Sequence, residues 1–171
     1  VAISVDLSGK TEGDLVGYKA KQHTSLIDVD KIGQCQINDY WDPVYKSPNE
    51  NGRLILNPDE FYILMSKEYV TVPLDYAAEM RAYDTKVGEF RVHYAGFFDP
   101  GFGHAESGDQ GTRAVLEVRS HDVPFLIEDG QTVCRLIYEQ MTQIPEKIYG
   151  ASGIGSNYQG QALKLSKHFK V

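Results

Sequence analysis

The sequence predicts an all-β domain, a sandwich or barrel of short strands with at most one short helix. Many short runs are rich in β-branched and aromatic residues or alternate apolar with polar ones, as half-buried strands do. Clusters of Gly, Pro, Asn, Asp and Ser separate these runs at short intervals, and helical periodicity is nearly absent. Strands and turns at this spacing are typical of all-β sandwiches and barrels.

The 171 residues suit one domain, residues 1–171, large enough to bury a single core. Hydrophobic residues make up 42% and charged residues 24% of the chain, which is usual for a soluble protein. The net charge of −7 offers no basic face, so we expect no nucleic-acid partner. No apolar run approaches the roughly 18 residues of a membrane span, so we expect no membrane association. Cys35 and Cys134 have no CxxC spacing, which favours a reducing, cytoplasmic location.

Taken in order, the residue pattern predicts strands from the first residue onward. These strands lie at 1–7, 16–22, 25–29, 54–56, 60–66, 68–72, 91–95, 112–118, 123–127 and 132–141. Residues 74–80 are the best helix candidate, because they are good helix formers with an Asp near the start. Residues 128–131, Glu-Asp-Gly-Gln, predict a hairpin turn. Trp41 is the only Trp, and we interpret it as a packing anchor, with stacking on a base as the alternative.

One stretch, residues 90–117, combines two predicted strands with polar residues that could carry chemistry. Asp-Pro-Gly at 99–101 predicts a turn, because Asp can bond the backbone beyond it, Pro presets φ and Gly tolerates positive φ. The next strand contains Val-Leu-Glu-Val at 115–118, which sets a carboxylate among aliphatic residues. Glu is rarely buried unless it is paired or used. Glu117 is therefore either a candidate catalytic residue or an edge-strand residue that points at water.

Four familiar constellations are not supported by the residue spacing. His104 and Glu106 spell the H-x-E of zinc deaminases, but no C-x-x-C occurs in the chain, so we expect no zinc. The glycines of residues 149–157 lack the GK[ST] ending of a P-loop. The adjacent Ser-His-Asp at 120–122 does not indicate a catalytic triad, because triad members converge from separate elements. The histidines show no paired metal-ligand spacing, so we expect no protein-bound metal.

Several motifs occur in the order of a known family. They are DPGF at 99–102, AVLEV at 114–118, EDGQTVCRLIYEQM at 128–141 and NYQGQALKLSKHF at 157–169. From about residue 56 to 169 the sequence therefore resembles the dCTP deaminase and dUTPase superfamily. The resemblance implies a dUTPase-like β-barrel, a distorted jelly roll, that forms trimers or pseudo-trimers with active sites between subunits. Because the chain starts at Val1 without Met, it resembles the C-terminal half of a double-length dCTP deaminase.

The resemblance also implies candidate site residues. Glu117 occupies the position of the family's catalytic glutamate, which activates the water that attacks C4 of dCTP. Asp99 occupies the position beneath the deoxyribose. Arg81 and Lys86 match the two cations of a phosphate-holding turn whose usual serine is replaced by Ala82, and solvated loop charges are the alternative interpretation. The other nucleotide-binding positions implied by the family are Val115, Leu116, Tyr149, Tyr158 and Gln161.

Together these features predict hydrolytic deamination of dCTP to dUTP and ammonia in the cytoplasm, by a glutamate-activated water and without zinc. We expect Mg²⁺ to accompany the triphosphate, dTTP to be a candidate regulator, and residues 150–171 to form a flexible tail or lid. Two alternatives stay open. The same fold can cleave dUTP to dUMP and pyrophosphate, with Asp99 activating the water. The altered turn at 81–86 also fits a catalytically silent structural or regulatory half that completes the oligomer.

Overall fold

The computed structural model of the chain describes residues 1–10, 13–46, 52–82, 90–93, 96–104, 111–120, 122–151 and 163–170. The strands, in chain order, are β1 (Ala2–Ser4), β2 (Leu15–Ala20), β3 (Trp41–Tyr45), β4 (Arg53–Leu56), β5 (Phe61–Val70), β6 (Tyr76–Ala82), β7 (Phe90–His93), β8 (Phe97–Phe98), β9 (Thr112–Ser120), β10 (Phe125–Glu128) and β11 (Thr132–Gln140). Among these residues the helical structure is one turn, α1 (Ile37–Tyr40), which confirms the all-β prediction. None of the helical residues described forms a segment long and apolar enough to cross a membrane.

Two larger sheets enclose the main core. One has the order β1-β11-β6-β8, the other has the order β3-β2-β5-β9-β7, and β10 pairs with β4 in a small separate sheet. Side chains alternate across each strand, so Leu64 of β5 and Leu116 and Val118 of β9 face inward from the five-stranded sheet. Met80 of β6 and Leu136 of β11 join the same buried cluster from the four-stranded sheet. Burial of these inward-facing side chains is the main force that holds the two sheets together.

Residues 74–80, predicted as a helix, instead lead into and form most of strand β6, Tyr76–Ala82. β6 pairs with β11 along its whole length and with β8 at Ala78 and Glu79. The alternation along the strand buries Ala78 and Met80 in the main core. Pairing on both sides and burial outweigh the helix propensity of such a short segment.

Residues 25–29 were predicted as a strand, and this prediction was wrong. They form an irregular, exposed connection between β2 and α1, and Leu26 is 96% exposed. Within the described part of the chain no strand pairs with this connection. Without a neighbouring strand, alternation of apolar and polar residues is not enough to form a strand. An extended backbone gains its ladder hydrogen bonds only from a partner strand.

The turn predicted at 128–131 is present, but it does not close a hairpin. The Gln131 amide donates to the Glu128 carbonyl at 3.0 Å, and Gly130 has φ 78°. The strands that flank the turn belong to different sheets, since β10 pairs with β4 while β11 pairs with β1 and β6. The turn itself is held toward β1, because the Gly130 amide donates to the Val5 carbonyl at 2.9 Å and the Leu7 amide donates to the Asp129 carboxylate at 2.9 Å.

A buried ion pair links the chain just after β1 to the start of β9. The Arg113 guanidinium lies 2.7 Å from the Asp6 carboxylate, and these side chains are only 8% and 4% exposed. The Ser8 hydroxyl and amide donate to the same carboxylate at 2.6 and 2.9 Å. Burial alone would raise the pKa of Asp6, but the hydrogen bonds from Ser8 and the charge of Arg113 outweigh it and hold this pKa below its usual value. The guanidinium also lies over the Tyr69 ring, 5.1 Å from its centroid.

We expect Arg113→Met to lower the free energy of unfolding by about 3–5 kcal/mol, because it leaves the Asp6 carboxylate buried without its cation. Urea denaturation followed by the fluorescence of Trp41, the only Trp, measures this loss. Arg53→Met is the matched control. Its ion pair with Glu128, at 2.8 Å, is exposed, so its loss should stay below about 1 kcal/mol. Equal losses in the two variants would contradict a structural role for the buried pair.

Candidate active site

Glu117 lies on an interior strand of the five-stranded sheet. In the strand register it stands between Ile63 of β5 and His93 of β7. Its neighbours Leu116 and Val118 are fully buried in the main core, so the Glu117 side chain projects from the opposite, outer face and is partly buried. The edge-strand interpretation of Glu117 therefore does not hold, because β9 has paired strands on both sides.

A second apolar cluster covers part of the sheet face from which Glu117 projects. Its buried members are Ile63, Leu165 and Phe169, and Val115 packs against them. Ile63 is the cross-strand neighbour of Glu117, and Val115 precedes it by two residues on the same face of β9. Aliphatic side chains therefore border the carboxylate on two sides. Such surroundings limit the access of bulk water to the carboxylate, which suits a general base.

Trp41 packs in this second cluster, as the packing interpretation predicted. Its ring centroid lies 6.0 Å from that of Phe61 and 6.1 Å from that of Phe169. Phe169 also meets the Tyr40 ring edge to face at 5.6 Å. The indole thus links the sheet to the C-terminal residues.

The C-terminal residues 163–170 are fastened to the segment before α1. The Cys35 amide donates to the His168 carbonyl at 3.0 Å, and the Lys170 amide donates to the Cys35 carbonyl at 2.9 Å. Leu165 and Phe169 are buried in the second cluster. This end of the predicted tail, 150–171, is therefore packed against the domain. Tyr158 and Gln161 lie outside the described residues, so their roles stay predictions.

The Asp-Pro-Gly turn predicted at 99–101 is present and brings Asp99 close to Tyr149 in the fold. The Phe102 amide donates to the Asp99 carbonyl at 3.0 Å, and Gly101 has φ 94°. The Tyr149 amide donates to the Pro100 carbonyl at 2.9 Å, and the Tyr149 ring lies 5.6 Å from that of Phe102. A side chain on Gly101 would stand 3.1 Å from the Tyr149 carbonyl oxygen, so this contact favours glycine. Asp99 itself is exposed at the surface.

Arg81 lies on the outer face of the four-stranded sheet. Its guanidinium is 3.1 Å from Glu79 and 3.7 Å from Glu139, and its side chain is 59% exposed. Arg81 and Glu117 thus project from the outer faces of different sheets. The structure brings Val115 beside Glu117 but does not bring Arg81 onto the same face.

Leu116 and Lys86 are two further residues of the predicted site. Leu116 is fully buried in the main core, on the opposite face of β9 from Glu117. Any contact of Leu116 with a nucleotide would therefore involve its backbone. Lys86 lies outside the described residues, and its place in the phosphate turn stays a prediction.

Phe97 is an exposed aromatic residue that the sequence pattern did not single out, and it is 82% exposed. The adjacent Phe98 is buried against Phe102, with ring centroids 4.9 Å apart. The signal was the Phe-Phe pair itself, because alternation along a strand turns one of two neighbours outward. Which of the two rings points outward depends on which face of the strand meets the core.

No group of three or more His, Cys, Asp or Glu side chains in the described ranges is arranged to hold a metal ion. The Cys134 thiol is buried in the main core. Burial and the nearby Glu68 carboxylate raise the pKa of Cys134 to about 12. The thiol is therefore protonated at neutral pH and unsuited to act as a nucleophile.

The strand order and the described turns define an all-β domain with the dUTPase-like fold. More particularly, the chain belongs to the family described as "2'-deoxycytidine 5'-triphosphate deaminase (DCD), C-terminal domain", whose model matches residues 1–169. The resemblance inferred from the sequence is confirmed.

Several similar proteins are named as dCTP deaminases. The chain is 32% identical over 124 residues to "dCTP deaminase, dUMP-forming" of Methanothermobacter thermautotrophicus and 34% identical over 125 residues to that of Methanobrevibacter smithii. Each match covers 71% of this chain and 59% or 60% of the relative. The crystal structure of 2'-deoxycytidine 5'-triphosphate deaminase from Agrobacterium tumefaciens is similar with a TM-score of 0.79 and 58% identity. That match covers 85% of this chain but only 42% of the solved chain.

We expect Phe169→Ala to lower the free energy of unfolding by about 3–5 kcal/mol, because it opens a cavity in the second cluster. Trp41 emission should shift to the red in the folded variant, since the indole loses the aromatic ring that shields it. Phe97→Ala is the matched control, because Phe97 is 82% exposed and its loss should cost no more than about 0.5 kcal/mol. If Phe169→Ala is as stable as this control and keeps wild-type emission, the C-terminal residues are not part of the core.

Proposed function

We propose that the full-length protein of this chain deaminates dCTP hydrolytically and that Glu117 activates the attacking water. The observation that carries the proposal is the position of Glu117. It is a partly buried carboxylate on an interior strand, bordered by Ile63 and Val115, in a chain of the dCTP deaminase family. A carboxylate in such a place is partly shielded from bulk water, which suits a group that takes a proton from one bound water.

The proposed reaction consumes one water and releases one ammonia. The Glu117 carboxylate takes a proton from the water while the oxygen attacks C4 of the cytosine ring. The protonated carboxyl group then returns this proton to the ring nitrogen N3, and a further proton transfer from the new hydroxyl group to the amino group makes ammonia the leaving group. Breaking the C4–N bond restores the ring carbonyl, so that dCTP and water become dUTP and ammonia. Mg²⁺ would enter this scheme with the triphosphate, whose charge it balances.

The remaining residues would bind and orient the nucleotide. Arg81 and Lys86 would hold the phosphate chain, and Asp99 would lie beneath the deoxyribose. Val115 would lie along the base, and Leu116 would contribute through its backbone. The residues proposed to close over the nucleotide are Tyr149, Tyr158 and Gln161.

A homo-oligomer, a trimer or a pseudo-trimer of doubled chains, fits this proposal. Arg81 and Glu117 project from the outer faces of different sheets. One domain alone therefore offers the phosphate cation and the water-activating carboxylate on separate surfaces. A neighbouring copy that supplies one of the two would complete the site.

We expect Glu117→Gln in the full-length protein to lower kcat for dCTP by about 10²–10⁴-fold, because the amide cannot accept the proton of the water. The affinity for dCTP, measured by calorimetry, should change only a few-fold. Glu128→Gln is the control, since Glu128 is an exposed carboxylate on β10, and it should keep wild-type kcat. Full activity in Glu117→Gln would remove this residue from the mechanism.

A second candidate function is deamination followed by cleavage of the triphosphate, in which Asp99 would activate the second water. It is favoured by the relatives, which are named "dCTP deaminase, dUMP-forming". We expect dCTP to yield ammonia and dUTP in equal amounts, and anion-exchange chromatography with a pyrophosphate assay measures the products. Formation of dUMP and pyrophosphate would establish the second function instead.

A third outcome would be wild-type protein that binds dCTP without releasing ammonia. This chain would then be a catalytically silent half of the protein, as the replacement of the usual serine by Ala82 suggests.

A further inference from the structure

The connection between β2 and α1, residues 21–36, exposes several large apolar side chains. Every residue from 21 to 34 is exposed. Leu26, Val29 and Ile32 are 96%, 71% and 64% exposed. Single exposed apolar residues are common on protein surfaces. Three of them close together in one segment are of the kind that marks a contact site with another polypeptide.

This connection is attached to the domain at both of its ends. At the first end the Lys21 amide donates to the Tyr40 carbonyl at 2.8 Å. At the second end the Gly33 amide donates to the Lys167 carbonyl at 3.0 Å. Residues 22–32, which we call the arm, lie between these two attachments. The arm therefore begins and ends at fixed points of the domain.

The second half of the arm forms a turn that local contacts close. The Lys31 amide donates to the Asp28 carbonyl at 3.1 Å, and the Asp30 amide donates to the Asp28 carboxylate at 3.2 Å. The Lys31 ammonium group lies 2.9 Å from the same carboxylate. This turn includes Val29 and gives the backbone around it a defined shape. A segment that is already ordered loses less conformational entropy on docking than a disordered one.

Contacts within the domain do not explain why the arm has this length and composition. The amides of Leu26, Ile27 and Val29 donate none of the backbone hydrogen bonds that join described residues. Among the strands that the structure describes, none pairs with residues 22–32. Connections of this length without secondary structure of their own are uncommon in compact domains and usually carry a function. The arm therefore has the features of a segment that contacts something outside the domain.

The part of the full-length protein that lies outside this domain is available to cover the arm. The family model that matches residues 1–169 describes a C-terminal domain. The match to the solved relative, at 58% identity, covers only 42% of that chain. More than half of that relative is therefore polypeptide that this domain does not contain. A neighbour joined to the domain by the chain has a high effective concentration beside it.

We propose that the arm is a docking segment for the polypeptide that the full-length protein carries outside residues 1–171. The apolar side chains of the arm fill an apolar groove of this occupant. The exposed ion pair of Asp28 and Lys31 lies at the rim of the contact. An apolar centre with a polar rim is the usual anatomy of a protein interface. The proposal does not depend on the deamination of dCTP.

Hydrogen exchange in the full-length protein tests whether the arm is docked. We expect the amides of Leu26, Ile27 and Val29 to exchange at least about tenfold more slowly than in an unstructured peptide, because docking shields them from water. Residues 142–144 are the control, since they form another exposed connection and should exchange at nearly the peptide rate. Exchange of the arm at the rate of this control overturns the proposal.

Photo-crosslinking identifies what covers the arm. The crosslinking residue p-benzoylphenylalanine replaces Leu26, the side chain that is 96% exposed, in the full-length protein. We expect the crosslinked peptide, identified by mass spectrometry, to come from outside residues 1–171. A crosslink to residues 1–171 of another copy would show contact between copies of this domain and overturns the proposal. The absence of any crosslink overturns it as well.

The double variant Leu26→Ser, Val29→Ser tests the apolar contact. We expect trypsin to cut after Lys31 at least about tenfold faster than in the wild-type full-length protein, because an undocked arm is open to the protease. The matched control is Val123→Ser, Ile144→Ser, which removes two apolar side chains that are 52% and 60% exposed. This control should keep the wild-type cleavage rate. Equal cleavage rates in the two double variants contradict the docking of the arm.

Discussion

Strand β9 has apolar side chains packed on both of its faces, and the position of the candidate catalytic group depends on this constraint. Leu116 and Val118 lie in the main core, while Val115 packs against the second cluster. A register shift of one residue would exchange the two faces and place the Glu117 carboxylate in the main core. Burial of a carboxylate in an apolar core is costly, so the same packing that stabilises β9 also determines where Glu117 points.

The second cluster makes the C-terminal residues part of the domain. Phe169 and Leu165 cover the outer face of the five-stranded sheet beside Trp41. Backbone hydrogen bonds to residues 33–35 hold this end in place. The second cluster, which includes the Glu117 neighbours Ile63 and Val115, is therefore built from residues up to a hundred positions apart along the chain, Ile63 and Phe169 among them. The surroundings of the candidate base depend on the whole domain being folded.

The outer face of the other sheet has a different character. It carries charged side chains on β6 and β11, an exposed aromatic ring on β8 and the Asp99 turn. Charge and exposure on this face contrast with the apolar cover around Glu117. A domain with candidate binding groups on one outer face and a candidate base on another fits the proposed assembly, in which neighbouring copies share sites.

The sequence by itself determined the all-β class, the turn at 99–101 and the position of Glu117 among aliphatic residues of a strand, because each depends on residues close together along the chain. The helix predicted at 74–80, the strand predicted at 25–29 and the hairpin predicted around the turn at 128–131 were wrong. A helix-forming segment became β6 because two strands were available to pair with it, and an alternating segment stayed irregular where none was. Only the tertiary structure decided these outcomes, because which strands become neighbours is settled by packing between residues distant in sequence.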